Sequence, residues 1–238
     1  MPRIRYLLWI AALSACARPA SADPLATLLA CNDRAVGGPA LRALPGVEYD
    51  LQIAEKGYTV RGHYRAERAN RVRIDIYAGD QRVYSEGWDS AGGGWQQPAN
   101  AAEPEPSSPE GAASLRHGIE RPGHLWTLAD MPQLGNQVAL VPRDSGDAPG
   151  AKVVKLTLRD GYETWYSVDT TSCLITRSRS FAAFHPDLDS TKTWNATIFT
   201  DFAVQNGVRR ALTTLNVDVV TGDTLGTTRV LAVRPVEE

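Results

Sequence analysis

The chain has 238 residues, of which 43% are hydrophobic, and carries 25 Lys and Arg against 27 Asp and Glu. A net charge of −2 with no basic block argues against a nucleic-acid partner. Beyond the N-terminus no apolar run is long enough to cross a bilayer, and the remaining length suits one large β domain or two small ones.

Residues 1–22 read as an export signal: Arg3 and Arg5 precede the apolar run Tyr6 to Leu13, and small residues follow. Two processing sites compete. Ala20-Ser21-Ala22 before Asp23 has the form of an ordinary signal-peptidase site and predicts a periplasmic protein. Leu13-Ser14-Ala15-Cys16 resembles a lipobox and predicts an outer-membrane lipoprotein acylated on Cys16, with peripheral or lipid-anchored membrane association. The continuation Asp23-Pro24 favours the first, because it supplies a helix N-cap and a proline at the first helical position. Cleavage there removes three arginines and moves the formal charge from −2 to −5. Either route leaves Cys31 and Cys173 as an even pair in an oxidising compartment. Paired, they close a loop of roughly 140 residues, worth about 4 to 5 kcal/mol on the chain-entropy view, with two buried free thiols as the alternative.

Along residues 23–238 the first pattern is helical. From Asp23 to Leu44, Leu25, Leu28, Leu29, Asn32 and Val36 share a face, and Gly37-Gly38 supplies the stop. At Val47 the period changes to two. Val47 to Ile53, Tyr58 to Glu67, Val72 to Ile76 and Gln81 to Trp88 alternate apolar with charged residues and are joined by tight turns, which predicts an antiparallel meander with one face in water. Asp89 to Gly94 reads as a turn and Pro98 to Ala113 as a mobile Pro- and Ala-rich loop. Leu115 to Met131 predicts helix in short pieces, interrupted at Pro122-Gly123. Strands resume over 138–141, 153–159, 162–169, 174–181, 194–202, 208–220 and 225–233, with Asp160-Gly161 a strong hairpin signal.

These elements predict a mainly β (α+β) fold. A single antiparallel sheet with so many strands curls around its apolar face into an incomplete (half) β-barrel, with the N-terminal helix and the helical insertion closing the concave face. On the apolar phase of their segments lie Tyr49, Leu51, Ile53, Tyr64, Ile74, Ile76, Leu125, Trp126, Trp194 and Ile198, which either line a pocket for an apolar ligand or fill a core.

Catalytic signatures are missing: there is no Gly-x-Ser-x-Gly, His-Glu-x-x-His, Cys-x-x-Cys or Gly-x-x-x-x-Gly-Lys. The histidines do not assemble a metal site either. His63 sits on a polar strand face among Arg61, Arg65 and Glu67. His117 and His124 lie seven residues apart, but Pro122-Gly123 breaks the helix between them and no further ligands can be named. His185-Pro186-Asp187-Leu188-Asp189 reads as an acidic loop that caps backbone amides. The expectation is therefore a non-enzymatic protein without metal or cofactor.

Together the exported N-terminus, the helix ending at Gly37-Gly38, the meander, the interrupted helical insertion and the late hairpins resemble the LolA and LolB-like lipoprotein-carrier superfamily. The segments that carry the resemblance are Val154 to Thr164 (VKLTLRDGYET), His185 to Asp189, Phe199-Thr200-Asp201-Phe202 and Asn206-Gly207-Val208. It implies an apolar concave face, closed by helices, that binds lipid or lipoprotein acyl chains. A cell-envelope module that holds protein partners around a filled core is the other expectation.

Overall fold

The structure is a computed structural model and describes residues 23–236, so the export signal expected over residues 1–22, Cys16 included, lies outside the described residues. The first helix, α1 (Pro24–Val36), starts where the sequence places it: the Asp23 carboxylate accepts a hydrogen bond from Leu25 N at 3.0 Å, with Pro24 at the first position. It ends at Gly37 in the left-handed conformation, φ 79°. That glycine has a second reason to lack a side chain, because a Cβ there would meet the Gly207 carbonyl oxygen at 2.3 Å. A short α2 (Gly38–Ala43) follows.

Among the described residues thirteen strands form one antiparallel sheet. In chain order they are β1 (Gly46–Glu55), β2 (Tyr58–Glu67), β3 (Arg71–Ala78), β4 (Gln81–Asp89), β5 (Gly93–Pro98), β6 (Glu105–Pro106), β7 (Gln137–Val141), β8 (Lys152–Thr157), β9 (Glu163–Val168), β10 (Ile175–Ala182), β11 (Thr193–Gln205), β12 (Val208–Asp218) and β13 (Thr224–Pro235). Across the sheet the order is β6-β5-β4-β3-β2-β1-β13-β12-β11-β10-β9-β8-β7. Two meanders thus meet at the central β1–β13 pair, with Tyr49 opposite Val233 and Glu48 opposite Arg234. Most hairpins turn on residues that accept positive φ, such as Gly57, Asn70, Gly79, Gly161 and Asn206-Gly207.

The segment after β4 departs from the sequence reading. Gly93 to Pro98 is a strand, and the stretch 98–113 contributes β6 and the first turn of α3 (Pro109–Glu120). Ser108 caps that helix, its hydroxyl accepting from Gly111 N at 2.9 Å. The predicted insertion 115–131 accordingly splits into the end of α3, an irregular bent stretch through Pro122-Gly123, and a 3₁₀ turn at Leu128–Asp130.

Two packed clusters lie on the concave side. One joins Leu28 of α1 and Leu128 and Met131 of the insertion to Val154, Leu156, Tyr166 and Val168 of β8 and β9. The other joins Ile119 and Leu125 to Val47, Tyr49, Leu51, Ala66 and Val72 of β1 to β3, and Trp126 packs against both. On the opposite face the alternate phase is ionic: Arg65 bonds Glu48 and Glu67, Arg73 bonds Asp75, and Arg234 bonds Asp50.

Candidate ligand cavity on the concave face

Polar anchors fix the roof over the sheet. Cys31 of α1 and Cys173 of the β9–β10 turn form a disulfide, with Cα atoms 5.7 Å apart, and the neighbouring Asn32 donates from Nδ2 to Cys173 O at 2.9 Å. Arg42 of α2 donates to Asp33 at 2.7 and 2.9 Å and to Asp130 at 2.8 Å, joining both helices to the 3₁₀ turn. These bonds hold the Asp33 carboxyl below its ordinary range. Arg68, in the β2–β3 turn, donates to the Leu44, Leu41 and Leu125 carbonyls at 2.7 to 2.9 Å and stacks on Trp126 at 4.2 Å. At the far end of α3, His117 Nε2 lies 2.7 Å from Asp160 Oδ2, and its ring stacks on Tyr162 with centroids 4.0 Å apart.

The roof does not fill the concavity. Between the two clusters lies a cavity of about 400 Å³, with walls from α1, α2, the Gly118 to Thr127 stretch and strands β1, β2, β9, β10, β11, β12 and β13. Its walls are mainly apolar: Leu51, Tyr64, Trp126, Phe199, Phe202 and Val230 are prominent among them. Among the described residues no Asp or Glu lines it, while Arg121, Arg209 and Arg210 do.

Arg210 of β12 is 7% exposed. Its Nη1 donates to Tyr49 Oη at 2.6 Å, His124 O at 2.9 Å and Gly123 O at 3.1 Å. Burial lowers its pKa, but a guanidinium keeps its charge in proteins. Burial likewise pushes the Tyr49 hydroxyl up to about 12, which leaves it neutral beside that cation. His124, half-buried with part of its surface on the cavity, packs its ring 4.7 Å from Tyr64 and 5.5 Å from Tyr49. Desolvation and the neighbouring Arg210 and Arg121 charges push its pKa down to about 3, so the imidazole is neutral at physiological pH.

Four residues from the sequence reading line this cavity, namely Tyr49, Leu51, Tyr64 and Trp126. Leu125, Ile53 and Ile74 belong to the second packed cluster instead, and Ile76 lies farther out on β3, away from the cavity wall. Trp194 and Ile198 lie on the opposite face of β11. Trp194 packs against Trp165 and Phe181, and Ile198 pairs across with Arg177, whereas Thr197 and Phe199 turn inward. Arg210, Arg121, His124, Phe199 and Phe202 were not anticipated. A signal did exist for Arg210, which shares the inward period-two phase of β12 with Val208.

The other histidines meet single carboxylates. His63 Nδ1 is 3.1 Å from Asp50 and His185 Nε2 is 3.0 Å from Glu55, both at the surface. Asp187 and Asp189 accept from the Ser108 and Thr191 amides, each at 2.9 Å. Among the described residues no group of three metal-ligating side chains occurs.

Neither a protein-family model nor a curated protein matches the sequence. Solved structures do match. A LolA superfamily protein from Nitrosomonas europaea superposes with a TM-score of 0.59 at 10% identity, covering 90% of this chain and 94% of its own. The fold is LolA-like. A DUF1329 family protein from Desulfovibrio piger gives a TM-score of 0.60 at 12% identity over 90% of this chain and 93% of that one. The LolA-like fold accounts for the open sheet with helices across its concave side, and at these identities the likeness speaks to the fold alone.

Proposed function

We propose that the protein is an exported carrier or receptor that binds an apolar ligand, of the class of lipid or lipoprotein acyl chains, in the concave face of its half-barrel without covalent chemistry. One observation carries this reading: a cavity of about 400 Å³ with mainly apolar walls lies between two packed clusters in a fold of the LolA type. Sites for small molecules run from roughly 300 to 1,000 Å³ and are lined mostly by apolar side chains with a few polar groups. A single acyl chain gains about 0.8 kcal/mol for each buried methylene. An envelope module built only to hold protein partners needs no such interior space, so the cavity favours the binding reading.

Export rests on residues 1–22 and on a Cys31–Cys173 bond suited to an oxidising compartment such as the periplasm. The reading is tested by native mass spectrometry of the protein from its own envelope, together with uptake of a fluorescent fatty acid. Ala211→Trp, which places an indole in the cavity wall, is expected to weaken uptake at least tenfold with the unfolding transition still cooperative. A wild-type protein that carries no lipid and takes up no probe overturns the proposal. In the same spectra a terminus at Asp23 identifies the free form, and an acylated Cys16 the anchored one.

A further inference from the structure

The roof arginines Arg42 and Arg68 and the outer-face arginines Arg65, Arg73 and Arg234 direct their guanidinium groups at carboxylates or at several carbonyls, and Arg210 differs from them. Arg210 uses only Nη1. Its Nε and Nη2 have no hydrogen-bond partner, although both are closed to water. A buried guanidinium edge with two idle donors is costly, because burial removes its hydration and nothing replaces it. The cavity wall supplies no carboxylate to neutralise it, and Arg121 and Arg209 add further positive charge to the same space. Tyr49 and the carbonyls of Gly123 and His124 fix the guanidinium plane, so the idle edge is held in one orientation.

The Nε and Nη2 hydrogens of an arginine point in parallel and match two oxygens of one anion. We infer that the ligand is an amphiphile with an anionic head, a carboxylate or a phosphate, whose two oxygens take the Nε–Nη2 edge of Arg210 while its tail lies along Leu51, Phe199, Phe202 and Val230. This inference rests on the apolar-carrier reading and specifies its ligand. The head group displaces wall atoms that now cover the two nitrogens, and it supplies the negative charge that the cavity lacks. One narrow tail suits a space of about 400 Å³.

Four probes of the intact, disulfide-bonded protein test it by calorimetric titration below their micelle concentrations: dodecanoate, monododecyl phosphate, dodecanol and inorganic phosphate. At least one of the two anionic amphiphiles is expected to bind tenfold or more tighter than dodecanol, and which one does so identifies the head group. Inorganic phosphate is expected not to bind measurably. Arg210→Met is expected to bring the anions down to the affinity of dodecanol, and Arg210→Lys, which keeps the charge but not the fork, to recover less than half of the preference on a logarithmic scale. Equal binding of dodecanol and the anions by the wild-type protein overturns the anionic head while leaving the carrier. Inorganic phosphate that binds as tightly as its dodecyl ester overturns the amphiphile in favour of a small-anion site. No binding of any amphiphile overturns the carrier reading itself. The wild-type comparisons need no variant to fold.

Discussion

Arg234 on β13 and Arg210 on β12 sit on adjacent strands but on opposite faces of the sheet, and their surroundings differ. Arg234 grips both oxygens of Asp50 at 2.8 Å in the open, where solvent screens the pair. Arg210 lies under the roof with no carboxylate, sharing one nitrogen among a phenol and two carbonyls. The outer face therefore closes its charge balance internally, and the inner face leaves its balance open. Charges paired at the surface serve solubility and register, whereas a buried guanidinium without a carboxylate keeps an uncompensated desolvation cost.

The contrast depends first on the roof being held down. Replacing Cys31 and Cys173 together by Ser is expected to cost about 2 to 5 kcal/mol in urea unfolding, the largest effect here, because the bond closes a very long loop. A loss below about 1 kcal/mol would mean that Arg42 and Arg68 suffice to seat α1.

A second test separates the faces by pH. His124 has a folded-state pKa of about 3, far below the ordinary 6.5, so the unfolded chain takes up a proton that the folded one refuses. Stability is therefore full above pH 6.5 and falls toward pH 3, by up to about 1.4 kcal/mol per pH unit. The outer-face carboxylates Asp50, Glu67 and Asp75 are held below their ordinary values, so their contribution is present above about pH 4 and lost only as pH falls further. Denaturation midpoints measured from pH 7 to 4 are expected to slope in the wild type and to slope less steeply in His124→Gln, part of the remaining slope coming from His117, whose pKa burial also lowers. An unchanged slope would remove the inner face from the account.

The smallest effects come from the two arginines themselves. Arg234→Ala is expected to lower the unfolding midpoint only slightly at low salt and less still at high salt, because the Asp50 pair it breaks is exposed and screened. Arg210→Met is expected to stay within about 1 kcal/mol of wild type, since an unpaired buried charge and its hydrogen bonds are lost together. A loss of about 3 kcal/mol or more would show that Nη1 serves the fold, and the contrast between the faces would dissolve.

Much of the fold was legible because two signals coincided. The charged and apolar residues of β1 to β4 alternate cleanly, and turn residues separate the hairpins. The failures have local causes. Gly93-Gly94 and Pro98 disguise β5, which is nevertheless a strand because it pairs with β4 from Tyr84 to Asp89. Trp194 and Ile198 were assigned to the interior because both phases of β11 carry apolar residues. Which phase faces inward is decided by neighbours: Trp165 lies opposite the inward Tyr166, and it draws Trp194 outward. Phe199 and Phe202, three apart, both line the cavity, with Asp201 between them in a left-handed conformation (φ 54°). Periodicity assigns a residue to a face. It does not say whether that face is packed or hollow, which depends on how the roof meets the sheet.

The pairing of β1 with β13 at the centre of the sheet has a consequence for assembly. Residues more than 170 positions apart, such as Tyr49 and Val233, must find each other before the two meanders become one surface. Contacts so distant in sequence slow folding, and until they form each meander presents a bare strand edge to other chains. During synthesis the N-terminal meander waits for nearly the whole polypeptide, and a chain truncated before Thr224 keeps β1 and β12 as open templates for aggregation.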